Sequence, residues 1–207
     1  MPFDLPPIDP GIEIVLASRG ISKGLAQTEG PQLLVRGELG LGSFYVGGYG
    51  KNVTSSTSDG EAGATMGART SLGGFDLNAS ATWKLAVEPV GNSDAEALEL
   101  TGQASRRLGP VTARATVTWS PDDLGSTRRS TYAEGQLGYS LGGGRSLIGA
   151  VGRRERGGGP DYTAFNIGAT QTIAEHFTLD LRWYDTDRSS LGFAYRGRLI
   201  AAVRARF

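Results

Sequence analysis

Arginine side chains are the most prominent candidates for chemistry in this sequence, because many of them alternate with apolar residues. A guanidinium stays positively charged and binds carboxylates and phosphates, and arginines that line a pore attract anions. The side chains that we expect to line a lumen and set its selectivity are Arg36, Arg114, Arg182, Arg196, Arg198, Arg204, Glu134 and Asp180. Further charges on the same polar face are Arg19, Arg69, Arg206, Glu13, Glu38, Asp76 and Glu99.

Two interpretations of these charges stay open. Arginines outnumber acids on the polar face, which predicts a lumen with a weak preference for anions. Alternatively, each charge is neutralised by a partner across neighbouring strands, and the resulting salt-bridged network braces or blocks the lumen.

Other residue types give little support for catalysis or metal binding. His176 is the only histidine and lies in a tight turn beside Glu175, so a solvated turn histidine is a better interpretation than a general base. The chain has no cysteine, which removes thiolate sites. Asp122, Asp123 and residues 185–187 could bind Ca²⁺ or cation-bridged lipopolysaccharide, but so few oxygen ligands favour solvated loop charge. We therefore predict no enzyme activity, no metal and no cofactor.

The elements that position these side chains are β-strands, because apolar and polar residues alternate with a period of two. The segment FDLNASATWKLAV, residues 75–87, has an apolar side chain at every odd position and a polar one at most even positions. Segments 110–120, 177–186 and 193–207 repeat the pattern. Neither helical periodicity nor a run of about 18 apolar residues, which a membrane-spanning helix needs, is present.

Twelve such strands account for the chain. We predict them at residues 11–19, 31–39, 44–52, 61–72, 75–87, 95–107, 110–120, 130–141, 146–156, 162–173, 177–186 and 193–207. Tight turns alternate strictly with longer polar loops, which places all turns at one end and all loops at the other. The sequence therefore predicts an all-β fold, a closed up-and-down antiparallel transmembrane β-barrel of about twelve strands, with short periplasmic turns and longer extracellular loops.

Alternation alone does not say which face is outside, since a soluble barrel or sandwich has the same period with the faces exchanged. The apolar face is rich in Gly and Ala, which are too small to fill the interior of a wide barrel. An arginine on a lipid-facing surface costs about 2–4 kcal/mol at midplane, so the charges belong inside. Aromatic residues near both strand ends predict two membrane girdles, formed by Phe44, Phe75, Tyr139, Phe177 and Phe207 at the turns and Trp83, Trp119, Trp183 and Phe193 at the loops.

The N-terminal segment, residues 1–10, is rich in proline and is expected to be an extended periplasmic segment ahead of the barrel domain, residues 11–207. A segment that folds back into the lumen as a plug is the alternative. The N-terminal segment lacks the basic and apolar regions of a signal peptide, so we expect that the signal peptide of an outer-membrane protein has been removed.

Short motifs add a family resemblance. SRGIS at residues 18–22 leads into the first loop, GSFYVGGYGKNV covers residues 42–53, and WYDTDRSS at 183–190 precedes a last strand that ends at Phe207. With these motifs the chain resembles the TorF family of porin-like proteins from proteobacteria. The resemblance implies an outer-membrane barrel that acts as a channel, and it supplies no catalytic residues.

The predicted function is passive diffusion of small polar or anionic solutes through an Arg-rich lumen in the bacterial outer membrane. Basic and acidic residues balance at 21 each, which gives no argument for nucleic acid. The expected partners are membrane lipid, lipopolysaccharide and small solutes, with an envelope protein or a second copy of the chain as further candidates. The alternative is a non-conducting barrel that anchors or scaffolds another envelope component.

Overall fold

Twelve long strands close into a barrel in the computed structural model, which describes residues 8–54, 58–89 and 94–207. In chain order the strands are β1 (Ile8–Ala17), β2 (Ile21–Ser22), β3 (Leu25–Ala26), β4 (Gln32–Leu41), β5 (Phe44–Asn52), β6 (Gly60–Leu72), β7 (Phe75–Val87), β8 (Glu96–Leu108), β9 (Val111–Asp123), β10 (Arg128–Gly142), β11 (Arg145–Arg156), β12 (Tyr162–Ala174), β13 (Phe177–Thr186) and β14 (Arg198–Arg206). The short strands β2 and β3 form a separate two-stranded sheet, and the other twelve form the barrel.

Helical structure is confined to two short 3-10 helices, Ser189–Leu191 and Phe193–Tyr195, within the described ranges. No helix in these ranges is long and apolar enough to cross a membrane.

Every barrel strand pairs antiparallel with its neighbours in the sequence, and β1 closes the ring by pairing with both β4 and β14. At this seam Ile12 and Phe207 exchange two backbone hydrogen bonds, each 2.9 Å between nitrogen and oxygen. The predicted closed up-and-down barrel of twelve antiparallel strands is therefore confirmed.

The connections at one end of the barrel are two-residue turns, and those at the other end are longer. At the turn between β6 and β7 both residues, Gly73 and Gly74, have positive φ values of 60° and 79°. This conformation matches the right-handed twist of the flanking strands and is easily adopted by glycine. Residues 55–57 and 90–93, within two of the longer loops, lie outside the described residues.

The two faces of the sheet follow the alternation that the sequence predicts. Apolar side chains such as Val117 and Leu181 are exposed on the outside of the barrel. Their polar neighbours Thr118 and Arg182 are buried or half-buried on the inside. The arrangement is thus inverted relative to a soluble barrel, because the apolar surface faces outwards and the charges face inwards.

The predicted bounds need corrections at both ends of the barrel domain. β1 begins at Ile8, and Ile8–Pro10 pair with Leu39–Leu41, so the barrel includes residues that we expected in the N-terminal segment. The proposed plug falls largely on residues 1–7, which lie outside the described residues. The last strand begins at Arg198 rather than at residue 193. Residues 193–195 form the second 3-10 helix, and Arg196 after it is extended but outside the strand.

Candidate functional site

One side of the lumen is lined by charged side chains from β1, β4, β13 and β14 and from Arg19, which follows β1. These strands are neighbours across the seam, so their inward positions converge on a single cavity of about 290 Å³. We call its charged lining the arginine wall, which consists of Arg19, Arg36, Arg182, Arg204, Arg206, Glu13 and Asp180. Five guanidinium groups face two carboxylates there, so the cavity carries an excess of positive charge.

Glu13 is shared by three of these arginines. Its carboxylate lies 2.8 Å from Arg206 Nε, 3.3 Å from Arg204 Nε and 3.5 Å from Arg36 Nη1. A single carboxylate does not neutralise three guanidinium groups, so part of their positive charge is left unbalanced. Asp180 and Arg182, which are 2.7 Å apart, form a closer pair.

The adjoining side of the lumen, which shares Arg36 of β4 with the arginine wall, has a different character. A cavity of about 350 Å³ is lined by β4 to β8, and its side chains include the hydroxyl groups of Tyr45, Tyr49, Thr65, Ser80, Thr82 and Thr101. We call this set the hydroxyl wall. Thr65 and Thr82 are hydrogen-bonded across β6 and β7 at 2.9 Å. The charged residues of this cavity balance, since Arg36, Lys51 and Lys84 face Glu38, Glu61 and Glu99.

The first loop folds into the lumen, which the sequence did not indicate. Its β2–β3 hairpin carries Lys23 at the tip, and the ammonium group contacts Glu99 on β8 and lies 3.1 Å from Asp123 on β9. Lys84 Nζ is 2.6 Å from Asp123, and Arg154 Nη2 is 2.9 Å from it. We call these five residues the latch cluster. All of their side chains are at most 17% exposed.

The other side of the hairpin packs against apolar residues. Leu25 joins Tyr162 and Ala164 of β12 in a small buried cluster, with Tyr195 against it. The Tyr162 hydroxyl donates a hydrogen bond of 2.6 Å to the backbone oxygen of Lys23. The hairpin is therefore attached to walls on different sides of the barrel.

Six of the eight predicted lumen residues face inwards from strands. Four of them belong to the arginine wall, namely Arg36, Arg182, Arg204 and Asp180. Arg114 is also on the inward face of β9, opposite Ser105 and Gln136. Glu134 on β10 accepts a hydrogen bond of 2.7 Å from the Tyr132 hydroxyl.

The last two predicted lumen residues lie near the loop end. Arg198 is buried at the start of β14, with its guanidinium 4.5 Å from the ring centre of Phe193. The predicted position of Arg196 within the last strand is corrected. Arg196 follows the second 3-10 helix and is exposed in the loop.

The predicted girdle residues all have exposed side chains. Eight of them lie on the outer face or at the last residue of the chain, namely Phe44, Phe75, Tyr139, Phe177, Phe207, Trp83, Trp119 and Trp183. Phe193 differs, because it lies in a 3-10 helix and its ring contacts the guanidinium groups of Arg19 and Arg198. His176 stacks on Phe207 with ring centres 5.4 Å apart, in the turn before β13.

Sequence reasoning missed most of the latch cluster. Asp123 was expected to carry solvated loop charge, but it is the last residue of β9 and only 3% exposed, because three cations approach it. Lys84 and Arg154 occupy inward positions that the alternation does identify, and only their partners were unknown. In the part of the chain that the structure covers, no three His, Asp or Glu side chains are grouped so that they could hold a metal ion.

Solved structures of porins share this fold. A KdgM porin in complex with disordered oligogalacturonate has a TM-score of 0.66 at 8% identity, with 95% of this chain and 99% of that chain covered. A NanC porin has a TM-score of 0.66 at 6% identity, with coverages of 95% and 98%. An outer-membrane channel from Pseudomonas putida F1 has a TM-score of 0.53 at 14% identity, with coverages of 100% and 98%. At such low identities the likeness establishes the fold alone.

The sequence comparisons place the chain in a family. No curated protein matches it in sequence. The TorF resemblance stays a prediction, whereas the porin-like barrel fold that it implied is present. The family described as bacterial protein of unknown function (Gcw_chp) matches residues 7–206. Because this match covers almost the whole chain, the protein belongs to the Gcw_chp family.

Proposed function

We propose that the protein is a non-catalytic channel in the bacterial outer membrane, through which small polar or anionic solutes diffuse passively. The short turns then face the periplasm, the longer loops face the outside, and lipid and lipopolysaccharide surround the barrel.

The outer surface supports placement in a membrane. Apolar side chains cover it, and the Phe75 and Trp83 rings are exposed at separate heights on β7. Eight residues of strand span about 27 Å, and a typical strand tilt reduces this to roughly 20 Å along the barrel axis. This height fits the apolar band of an outer-membrane barrel.

The single observation that carries the anion preference is the charge of the arginine wall. Five guanidinium groups against two carboxylates create a positive potential along one side of the lumen. A permeating ion must bind well enough to enter and weakly enough to leave. Glu13 contributes to this balance, because it pairs with three of the arginines and competes with a solute for their N–H groups.

A salt gradient across a planar bilayer tests the proposal. The wild-type barrel should give a reversal potential of the sign that indicates anion preference. In the double variant Arg36→Gln/Arg204→Gln, three guanidinium groups instead of five face the same two carboxylates, so the preference should weaken.

Arg153→Gln serves as the matched control, because Arg153 points outwards and pairs with Asp161 at 3.5 Å. Its reversal potential should equal that of the wild type. Clear cation preference of the wild-type barrel would contradict the proposal.

A carboxylated oligosaccharide is a useful first solute for conductance measurements. One structural neighbour is described in complex with oligogalacturonate, whose sugar units carry carboxylates. Such a solute should interrupt the current by occupying the arginine wall, and the double variant should shorten these interruptions.

The second candidate function is a sealed structural barrel that partners another envelope component or a second copy. The first-loop hairpin favours it, because the hairpin extends into the lumen and is fixed to the opposite wall. A sealed barrel gives no conductance steps under any applied voltage, whereas the proposed channel does.

A further inference from the structure

The first loop crosses the lumen although the fold does not require it. The loop joins β1 to β4, which are adjacent in the sheet, and a few residues suffice to connect adjacent antiparallel strands. Instead, the β2–β3 hairpin reaches β8 and β9, on the opposite side of the twelve-stranded ring. The arginine-wall cavity ends against this hairpin at Ile21, and the hydroxyl-wall cavity ends against it at Ser22. The hairpin therefore borders both cavities of the lumen.

The residue at the tip is unusual for its turn. Lys23 and Gly24 both have positive φ values, 50° and 81°. Two-residue turns of this kind favour Asn-Gly or Asp-Gly, and lysine is disfavoured in the left-handed region. The ammonium group of Lys23, however, contacts Glu99 and Asp123. Charge, rather than turn preference, therefore accounts for a lysine at this position.

The opposite wall does not need Lys23 for its own neutrality. Lys84 lies 3.1 Å from Glu99 and 2.6 Å from Asp123, and Arg154 lies 2.9 Å from Asp123. Two cations thus balance two carboxylates before Lys23 is added. Because Lys84 and Arg154 keep both buried carboxylates paired when Lys23 withdraws, the hairpin can detach without leaving an uncompensated carboxylate in the barrel wall.

The hairpin is also independent of the barrel ladder. Ile21 pairs with Ala26 and Ser22 pairs with Leu25, within a sheet of two strands. The hairpin can therefore move while the twelve-stranded ladder stays intact. Its fit against β12 is close, because a side chain on Gly24 would overlap the Ala164 side chain.

We infer that this hairpin sets the size limit of the channel, and that Lys23 is the specificity-determining residue that positions it across the lumen. The inference rests on the proposed function, since only a channel has a size limit. Solutes pass between the hairpin and the walls, so fixing or releasing Lys23 changes the width of the path.

Lys23→Asn tests the role of the charge, because asparagine suits the turn and lacks the ammonium group. We expect single-channel conductance in planar bilayers to rise about twofold, and larger neutral polymers to enter the lumen, because the hairpin loses its contact with the opposite wall. Arg153→Gln is the control and leaves both readouts unchanged. Wild-type conductance together with wild-type polymer exclusion in Lys23→Asn would overturn the inference.

Gly24→Ala tests the packing instead of the charge. The added methyl group overlaps Ala164 and displaces the hairpin, so conductance should rise as in Lys23→Asn. Ala164→Gly removes the overlap but not the strain of an alanine at a φ of 81°, so the double variant Gly24→Ala/Ala164→Gly should return only part of the way towards the wild-type value. A double variant as conductive as Gly24→Ala alone counts against the fit that we describe.

Hydrogen exchange reports whether the hairpin is attached to the wall, independently of whether the barrel conducts. The Gln27 N–H donates to the Gly20 carbonyl at 2.8 Å, so amides of residues 20–28 should exchange slowly in the wild-type barrel in detergent. In Lys23→Asn we expect exchange about tenfold faster. Faster exchange without conductance in either protein supports the latch and overturns the proposed channel. Unchanged exchange in a conducting Lys23→Asn barrel overturns the latch and leaves the channel standing.

Discussion

The latch cluster and the arginine wall use the same residue types in opposite ways. In the latch cluster, Lys84 and Asp123 have side chains only 9% and 4% exposed, and each contacts more than one opposite charge. On the arginine wall, Arg36 and Arg206 are 54% and 67% exposed and share the single carboxylate of Glu13. Buried charges require close partners, whereas wetted charges do not. The proposed anion preference therefore depends on the solvent-exposed guanidinium groups of the arginine wall and not on the buried cations of the latch cluster.

The largest expected effect on stability comes from removing a charge in the latch cluster. Asp123→Asn leaves Lys23, Lys84 and Arg154 with Glu99 as their only carboxylate in the cluster. Because uncompensated buried charge is costly, the free energy of unfolding should fall by about 3–5 kcal/mol. Thermal unfolding of the detergent-folded barrel, followed by circular dichroism, measures it.

Asp161→Asn is the matched control for this variant, since the Asp161–Arg153 pair is exposed. Its loss should change the free energy of unfolding by at most about 1 kcal/mol. Equal destabilisation by the two variants would mean that burial does not distinguish the latch cluster.

An uncharged contact between these extremes sharpens the comparison. Thr82→Val removes the hydrogen bond to Thr65 on the hydroxyl wall. The free energy of unfolding should fall by about 1 kcal/mol, since a neutral hydrogen bond contributes about that much. The reversal potential in a salt gradient should stay at the wild-type value, because no charge changes. A shifted reversal potential would show that the hydroxyl wall also sets selectivity.

The smallest effect on stability is expected for Glu13→Gln. Glu13 is itself only 16% exposed, but its partners Arg36, Arg204 and Arg206 are 40–67% exposed and remain hydrated without it, so the free energy of unfolding should change by less than about 1 kcal/mol. The anion preference should nevertheless increase, because five guanidinium groups then face a single carboxylate. Reversal potentials measure this change, and a shift towards cations would contradict the role of the arginine wall.

The barrel was predictable from the sequence because its information is local. β7 begins and ends at the residues that the alternation indicates, Phe75 and Val87. The predicted start of β14 was wrong, because residues 193–196 alternate like a strand but include a 3-10 helix between Gly192 and Arg196. Apolar–polar alternation indicates which side of a sheet a residue faces, but it does not reveal a short 3-10 helix that interrupts the strand.

The latch cluster was not predictable in the same way. Lys23 and Asp123 are 100 residues apart in sequence, and a pattern with a period of two carries no information on such a contact. The orientation of Lys84 towards the lumen was predictable, but its two carboxylate partners depend on how far the first loop reaches. The inward-facing residues therefore follow from the sequence, whereas their pairing follows only from the closed barrel.

The seam between β1 and β14 has a consequence for assembly. Five residue pairs join β1 to β14, from Glu13–Arg206 to Ala17–Ala202, and Ile12–Phe207 extends the seam beyond β14, whereas ten pairs join β1 to β4. The seam also unites the first and last strands to be synthesised, so every hairpin can form before the cylinder shuts. We expect the last step of folding, and the first step of unzipping under mechanical load, to occur along this short join.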